Sequence, residues 1–373
     1  MKTLHILHSE AAKGWGGQEI RIIQECQSLL ERGHRVSIVC QPDSPLREKC
    51  EQFNHPNLNY FPLAMKRPFS LLTLFSLIKI IRKSRPDILQ SHSSIDSWLI
   101  AMAGTLLGIP IIRSRHVMIP IKKHIFNKWL YAKAPRRILA SGRSIVNTVT
   151  KNTGISSDKV ISIPAGVDLN KFDFHISGEQ IRKELGLSPH QPLIGIVSVI
   201  RSWKGHEHFV DSVPFVLEKF PDARFVIVGS GPAYESIRDR VKNQGLEKFI
   251  FVLGHRDDIP EIMAALDIHC VASFGMEGTT QVIPQAIAMK TPNVSTRMDS
   301  ILPILGNGEW GILVEPENPQ DMAKGIIKLL EDPELARSLA EKAYIFGKKE
   351  LSLDRMMDKV VSIYHDVLND SHP

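Results

Sequence analysis

Cysteine is scarce in this chain. The 373 residues include four, Cys26, Cys40, Cys50 and Cys270, with no CxxC pair and no neighbouring histidine cluster. That usage reads as free thiols in a reducing compartment and argues against a structural zinc. Long apolar runs are also missing. The most hydrophobic stretch, 69–81, is interrupted by Ser70, Thr73 and Ser76 and closed by Lys79, too short and too polar to span a bilayer. The opening MKTLHILHSE lacks the apolar core of a secretion signal and reads as a first strand, so a cytoplasmic location is expected. No biased tract, internal repeat or nucleic-acid-binding motif is visible. Acid is short in the first half alone. Residues 1–165 hold 24 Lys and Arg against 10 Asp and Glu, whereas 166–373 hold 22 against 30. A basic half joined to an acidic half suggests that the first meets an anionic partner.

What is present is globular: 43% apolar and 23% charged residues, in a length that suits two domains. An apolar run at 4–8 leads into KGWGGQE, a helical pattern and a second strand at 36–40. This is a βαβ unit whose turn carries Gly14, Gly16 and Gly17, where backbone can approach a ligand closely. The alternation continues with strands at 88–91, 111–114, 138–141 and 160–163, which predicts a doubly wound parallel sheet. Ligands bind such sheets at the carboxyl ends of strands, and two of these strands end in histidine, His92 and His116. The segment 121–137 interleaves Lys122, Lys123, Lys128, Lys133, Arg136 and Arg137 with Ile121, Ile125, Phe126, Trp129, Leu130 and Tyr131. A basic helix with an aromatic face suits an anionic bilayer, although a surface helix packed on the core fits the same pattern.

A polar, irregular stretch at 171–191 marks the junction between domains taken as 1–168 and 190–350, with 351–373 returning to the first. The second half then repeats the alternation, with strands at 193–198, 224–228, 249–253 and 268–272. It carries SVIRSWKGHEHF, with Arg201 and Lys204, and the turn Gly229-Ser230-Gly231-Pro232. Next comes VASFGMEGTTQVIPQAIAMKTPNVST, which reads as strand, loop, helix and strand. Its loop offers one acid, Glu277, then Gly278, Thr279 and Thr280, at the start of a helical pattern that attracts anions.

Taken in order, the GG turn, His116, PAGVDLNKF, the WKG segment, the GSGP turn, the acidic-loop helix and GILVEPENPQDMAKGI resemble the retaining nucleotide-sugar-dependent glycosyltransferases of family 4. The resemblance covers nearly the whole chain. It implies α/β architecture of the GT-B fold, two Rossmann-like domains facing across a cleft, with donor held mainly by the second and acceptor by the first. FGKKELSLDRMMDKVVSIYHDVL resembles the helix that crosses back. It also implies roles. Lys204, with Arg201 in a shifted position, would meet the donor diphosphate, where charge grows as the glycosidic bond breaks. Gly229, Gly278, Thr279 and Thr280 would line the donor, Glu277 would face its sugar, and His116 would lie against sugar and phosphate. Gly16 and Gly17 would close on phosphate or acceptor. The family's second glutamate is replaced by Gln285, which still donates to and accepts from a ribose diol, and Gln281, one turn earlier, shares that face. Asp299-Ser300-Ile301 departs from the family's glycine pair.

The implied reaction is sugar transfer with retention, without metal or other cofactor, from a nucleotide sugar to a glycan or to a lipid-linked acceptor of lipopolysaccharide or cell-envelope type. Peripheral contact with anionic membrane is expected through 121–137, and no contact with nucleic acid. An NAD-dependent oxidoreductase would need GxGxxG and an acid about 20 residues on, which neither glycine turn provides. A non-catalytic sugar-nucleotide or lipid-binding protein and a GT-B epimerase stay open as alternatives.

Overall fold

The structure is a computed structural model; it describes residues 2–117, 119, 121–122, 124–275 and 280–370. The chain divides into two compact units, Met1–Ala165 with Asp354–Pro373, and Gly166–Leu353.

The first unit is built on seven parallel strands: β1 (His5–Glu10), β2 (Arg35–Cys40), β3 (Leu58–Pro62), β4 (Ile88–Ser91), β5 (Ile111–Arg115), β6 (Arg137–Ala140) and β7 (Val160–Ser162). Their order is β3-β2-β1-β4-β5-β6-β7, so the winding reverses between β1 and β4. β1, β4 and β5 are buried along their whole length, as strands covered by helices on both faces must be. The helix Ser94–Leu107 starts on a capping box of Ser93 and Asp96 and stops at Gly108, in the left-handed region. Leu7, Leu77, Leu89, Leu99 and Ile111 centre one cluster of the core, and Ile138, Ala140, Ile145 and Val149 another. The closing helix Leu353–Asn369 packs here, and its buried Tyr364 donates to Gln90 Oε1 at 2.6 Å.

The second unit has six parallel strands: β8 (Leu193–Val197), β9 (Arg224–Val228), β10 (Ile250–Gly254), β11 (Ile268–Val271), β12 (Asn293–Thr296) and β13 (Ile312–Val314). The order β10-β9-β8-β11-β12-β13 reverses between β8 and β11. The polar stretch after 166 belongs to this unit: Phe172 and Ile181 lie in its core beside Ile262 and Met263. β3 and β13 have no counterpart in the sequence reading. Both are sheet edges; β3 is half exposed and β13 has three residues, so neither needs a long apolar run.

The segment 121–137 differs from a continuous amphipathic helix. Its helix covers Ile125–Lys128 and continues as a wider π turn over Trp129–Lys133. Ile121, Leu130 and Tyr131 are buried, while Ile125 and Phe126 are exposed. Tyr131 and part of Trp129 therefore serve the core, and the outward apolar surface is smaller than the sequence pattern implied. Lys123 lies outside the described residues. Among the described residues no helix is long and apolar enough to cross a membrane. All four cysteines are buried and unpaired.

Candidate active site

In the second unit three strand ends converge where the winding reverses. After β8 the chain makes a short 3₁₀ turn, Ser202–Lys204, and enters the helix His206–Leu217 through Gly205. Gly205 has φ +69°, and a Cβ there would lie 2.0 Å from the Ala272 carbonyl oxygen. The Phe274 N–H donates to the Trp203 carbonyl at 3.0 Å. The WKG turn is thereby tied to the loop leaving β11, and only glycine permits that approach. Lys204 is half-buried; Arg201 is exposed, its guanidinium 5.4 Å from the Trp203 ring. After β9, Gly229 has φ +141°, with a Cβ position 1.9 Å from the Ser198 carbonyl oxygen. The Gly229 turn is thus pressed onto the segment leading to Arg201. Thr280 is buried. The Gln285 N–H donates to the Gln281 carbonyl at 3.2 Å, and both side chains are half-buried on one face of the helix Val282–Ala288. Glu277, Gly278 and Thr279 lie outside the described residues. Ile301 is fully buried, a packing role for the residue where the resemblance departs.

In the first unit the same edge of the sheet carries histidines. His116, just past β5, places Nε2 3.2 Å from His92 Nδ1, and His92 Nε2 lies 3.0 Å from His8 Nδ1. The three rings stack at 5.3 and 5.5 Å between centroids. Burial pushes His8 down to about 4 and His116 to about 3, with Arg21 adding to the effect on His116. His92 falls well below the ordinary value through burial and then its two histidine neighbours. All three are neutral near pH 7, so each ring carries one N–H donor and one acceptor nitrogen. His8 was not anticipated from sequence, because it sits within an apolar run.

Among the described residues, His8, Glu25 and His92 form a group with metal-ligand chemistry, their ligand atoms within 4.8 Å of one another. Glu25, however, accepts from Arg21 Nε at 2.7 Å and from Gln90 at 3.2 Å. Both carboxylate oxygens of Glu25 therefore already accept a protein donor.

Gly16 caps the helix Gly17–Glu31 in an extended conformation open to any residue, with only Glu19 Oε2, at 3.7 Å, near a Cβ position. Backbone strain does not demand glycine there. Beside it, Gln18 donates to Glu10. Burial raises Glu10, and burial with Glu10 nearby raises Asp96 to about 7. Asp96 also accepts from Ser9 at 2.9 Å and from the His92 N–H at 2.9 Å, fixing the backbone that carries His92.

Two doubly wound parallel sheets in one chain are the architecture found in the GT-B glycosyltransferases. A solved glycosyltransferase from Rickettsia africae ESF-5 shares this fold, with TM-score 0.89 at 22% identity over 99% of each chain. The Glycosyltransferase Family 4 model matches residues 15–171 and the Glycosyl transferases group 1 model residues 177–346. The chain belongs to glycosyltransferase family 4. It is 24% identical, over 99% of each chain, to a UDP-Gal:alpha-D-GlcNAc-diphosphoundecaprenol alpha-1,3-galactosyltransferase of Escherichia coli. It is also 24% identical, over 95% of each, to an N-acetyl-alpha-D-glucosaminyl L-malate synthase of Bacillus anthracis.

Proposed function

We propose that this glycosyltransferase moves a hexose from a nucleoside diphosphate sugar to a lipid-linked glycan acceptor of the cell envelope, with retention at the anomeric carbon and without a metal. The observation that carries the donor reading is the tie between the WKG turn and the loop after β11. It holds Lys204 against the segment that continues into Glu277, Gly278, Thr279 and Thr280. A cation at that tie suits a diphosphate leaving group, whose charge grows in the transition state, and the family resemblance assigns the neighbouring 277–279, outside the described residues, to the same donor. Arg201 and the Gly229 turn extend that wall, and Gln281 and Gln285 offer paired hydrogen-bonding groups to a ribose diol. Glu277 orients the donor sugar. The leaving phosphate takes the acceptor proton in a front-face attack, so no protein nucleophile is required.

In the first domain a neutral His116 offers one ring nitrogen to a sugar hydroxyl or phosphate, and Gly16 and Gly17 leave backbone open to the acceptor. Support for a lipid-borne acceptor comes from the surface of this domain. Leu71 and Leu72 are 80% and 84% exposed, and Phe69, Phe75, Ile125 and Phe126 are exposed with them. Phe69 contacts Trp98 at 5.1 Å, and Trp98 stacks on Trp129 at 6.2 Å, joining the two exposed clusters. Residues 52–157 carry 16 Lys and Arg but only two acids, Asp87 and the buried Asp96. An apolar surface in a basic field suits the anionic inner face of a membrane.

The test is incubation of purified protein with labelled nucleotide sugars and a polyprenyl diphosphate-linked glycan. Label should move to the lipid with the anomeric configuration of the donor and persist in excess chelator. Tight donor binding with neither transfer nor slow hydrolysis would overturn the catalytic reading. Inverted product would overturn retention.

A further inference from the structure

The sequence IIRSR of β5 ends in two arginines on one face of the strand, because alternate residues point the same way. Arg113 is 5% exposed and Arg115 9% exposed. Both guanidiniums turn to Tyr131: Arg113 Nη2 donates to its hydroxyl at 3.0 Å and Arg115 Nη1 at 2.6 Å. The Arg113 guanidinium also lies over the Tyr131 ring, 3.9 Å from its centre. Arg115 Nη2 donates to the Ile119 carbonyl. Arg113 Nε and Nη1 and Arg115 Nε are buried without a hydrogen-bond partner. Neither arginine forms an ion pair among the described residues. Asp96 exerts a field on Arg113, but its oxygens are taken by Ser9, Ser93 and the His92 N–H.

These groups line a cavity of about 200 Å³ whose wall also includes Ser94, Trp98, Lys122 and Asn127 and, among the described residues, contains no carboxylate. Two buried positive charges side by side are unfavourable unless an anion joins them. A purely structural tie to Tyr131 would need one guanidinium and would not leave three guanidinium nitrogens without a partner. The cavity lies at the carboxyl end of β5, the edge where parallel sheets take ligands, and His116 follows Arg115 directly.

We propose that the Arg113–Arg115–Tyr131 cavity is an anion-binding site that takes a phosphoryl group. Planar guanidiniums match the oxygens of phosphate or diphosphate in paired hydrogen bonds, and Lys122, Ser94 and Asn127 supply further donors. The phosphoryl group arrives either on a lipid head group or on a soluble phosphate. Because binding is read without transfer, this inference and the transferase reading fail separately.

The experiment titrates the full-length protein with inorganic phosphate and pyrophosphate against potassium chloride of matched ionic strength, by calorimetry and thermal unfolding. Pyrophosphate should bind at one site and raise the melting temperature beyond the chloride control. Arg115→Gln should weaken binding roughly tenfold or more. Arg136→Gln, which removes an exposed charge outside the cavity, should leave it within about twofold. Arg115→Lys, which keeps the charge and loses the fork, should fall between, and it serves as the cavity variant if the glutamine form does not fold. Tyr131→Phe should retain binding, since it frees two N–H groups. Vesicles of phosphatidylcholine with phosphatidic acid or with phosphatidylserine identify the source. Selective loss of binding to phosphatidic acid in the cavity variant supports a lipid-borne group, and loss of pyrophosphate binding alone supports a soluble one. No gain over chloride in the wild-type protein, or equal losses in the Arg115 and Arg136 variants, would overturn the site.

Discussion

Lys204 and Gly205 show how closely a side chain and a backbone position depend on each other here. The lysine is the donor cation in the proposed reaction, and Lys204→Ala should lower kcat/KM for the donor by about 10²–10³, in line with loss of one group stabilising transition-state charge. Steady-state kinetics with a single donor checks this; a change within a few-fold would remove Lys204 from the mechanism. Gly205→Ala acts without touching the donor. The left-handed backbone and the Ala272 carbonyl 2.0 Å from a Cβ position impose strain of about 2 kcal/mol or more. Donor affinity and melting temperature should therefore fall together in Gly205→Ala. Lys204 was singled out from the WKG pattern. His8 and the Arg113–Arg115 pair were not, because a histidine or arginine inside a strand has no local signature of a site. Their partners are supplied by strands distant in sequence.

At the level of elements, two helices carry expectations of their own. The closing helix Leu353–Asn369 delivers the Tyr364 hydroxyl to Gln90, whose amide also donates to Glu25 and to Ser114 at 2.9 Å. Tyr364→Phe leaves a buried amide oxygen unpaired, a loss of about 1–3 kcal/mol. That corresponds to a drop of roughly 2–10 °C in melting temperature for a domain of this size. The helix Leu71–Ser84 is different. Its Leu77, Ile78 and Ile81 are buried, while Leu71, Leu72 and Phe75 face outward. Replacing those three outward residues by serine should leave the melting temperature within about 2 °C, since burial is not lost. Binding to anionic vesicles should fall roughly tenfold or more. Sedimentation with vesicles measures it, and unchanged sedimentation would refute membrane docking through this face. The sequence showed the segment as hydrophobic and too short to span a bilayer. Which residues turn outward depends on how the helix packs on its sheet.

Across the whole molecule, acid should be destabilising. Burial lowers His5, His8, His34, His92, His116, His206 and His269. Each holds its proton less tightly in the folded chain than in the unfolded chain, which is protonated below about 6.5. Stability from these groups is complete above that pH and is lost as pH falls towards their folded values, by at most about 1.4 kcal/mol per pH unit for each group. Glu10 and Asp96, raised by burial, act in the opposite sense, Asp96 gaining stability as pH falls from about 7 towards its unfolded value, but they are outnumbered. Melting temperature should therefore fall steadily from pH 7 to 5 in scanning calorimetry; a flat or rising profile would contradict the assignment.

The sequence by itself determined the alternating strands and helices, the family, the WKG turn, the His116 position and the charge contrast between its halves. These are written in short-range patterns and in spacings along the chain. Tertiary structure alone decided which distant groups became neighbours. His8, His92 and His116 meet because β1, β4 and β5 are adjacent in the sheet. Arg113 and Arg115 face a cavity because Tyr131 folds back over them. The segment 121–137 gives Tyr131 and part of Trp129 to the core because the sheet beneath it needs covering. Periodicity tells which residues share a face; only packing tells what that face meets.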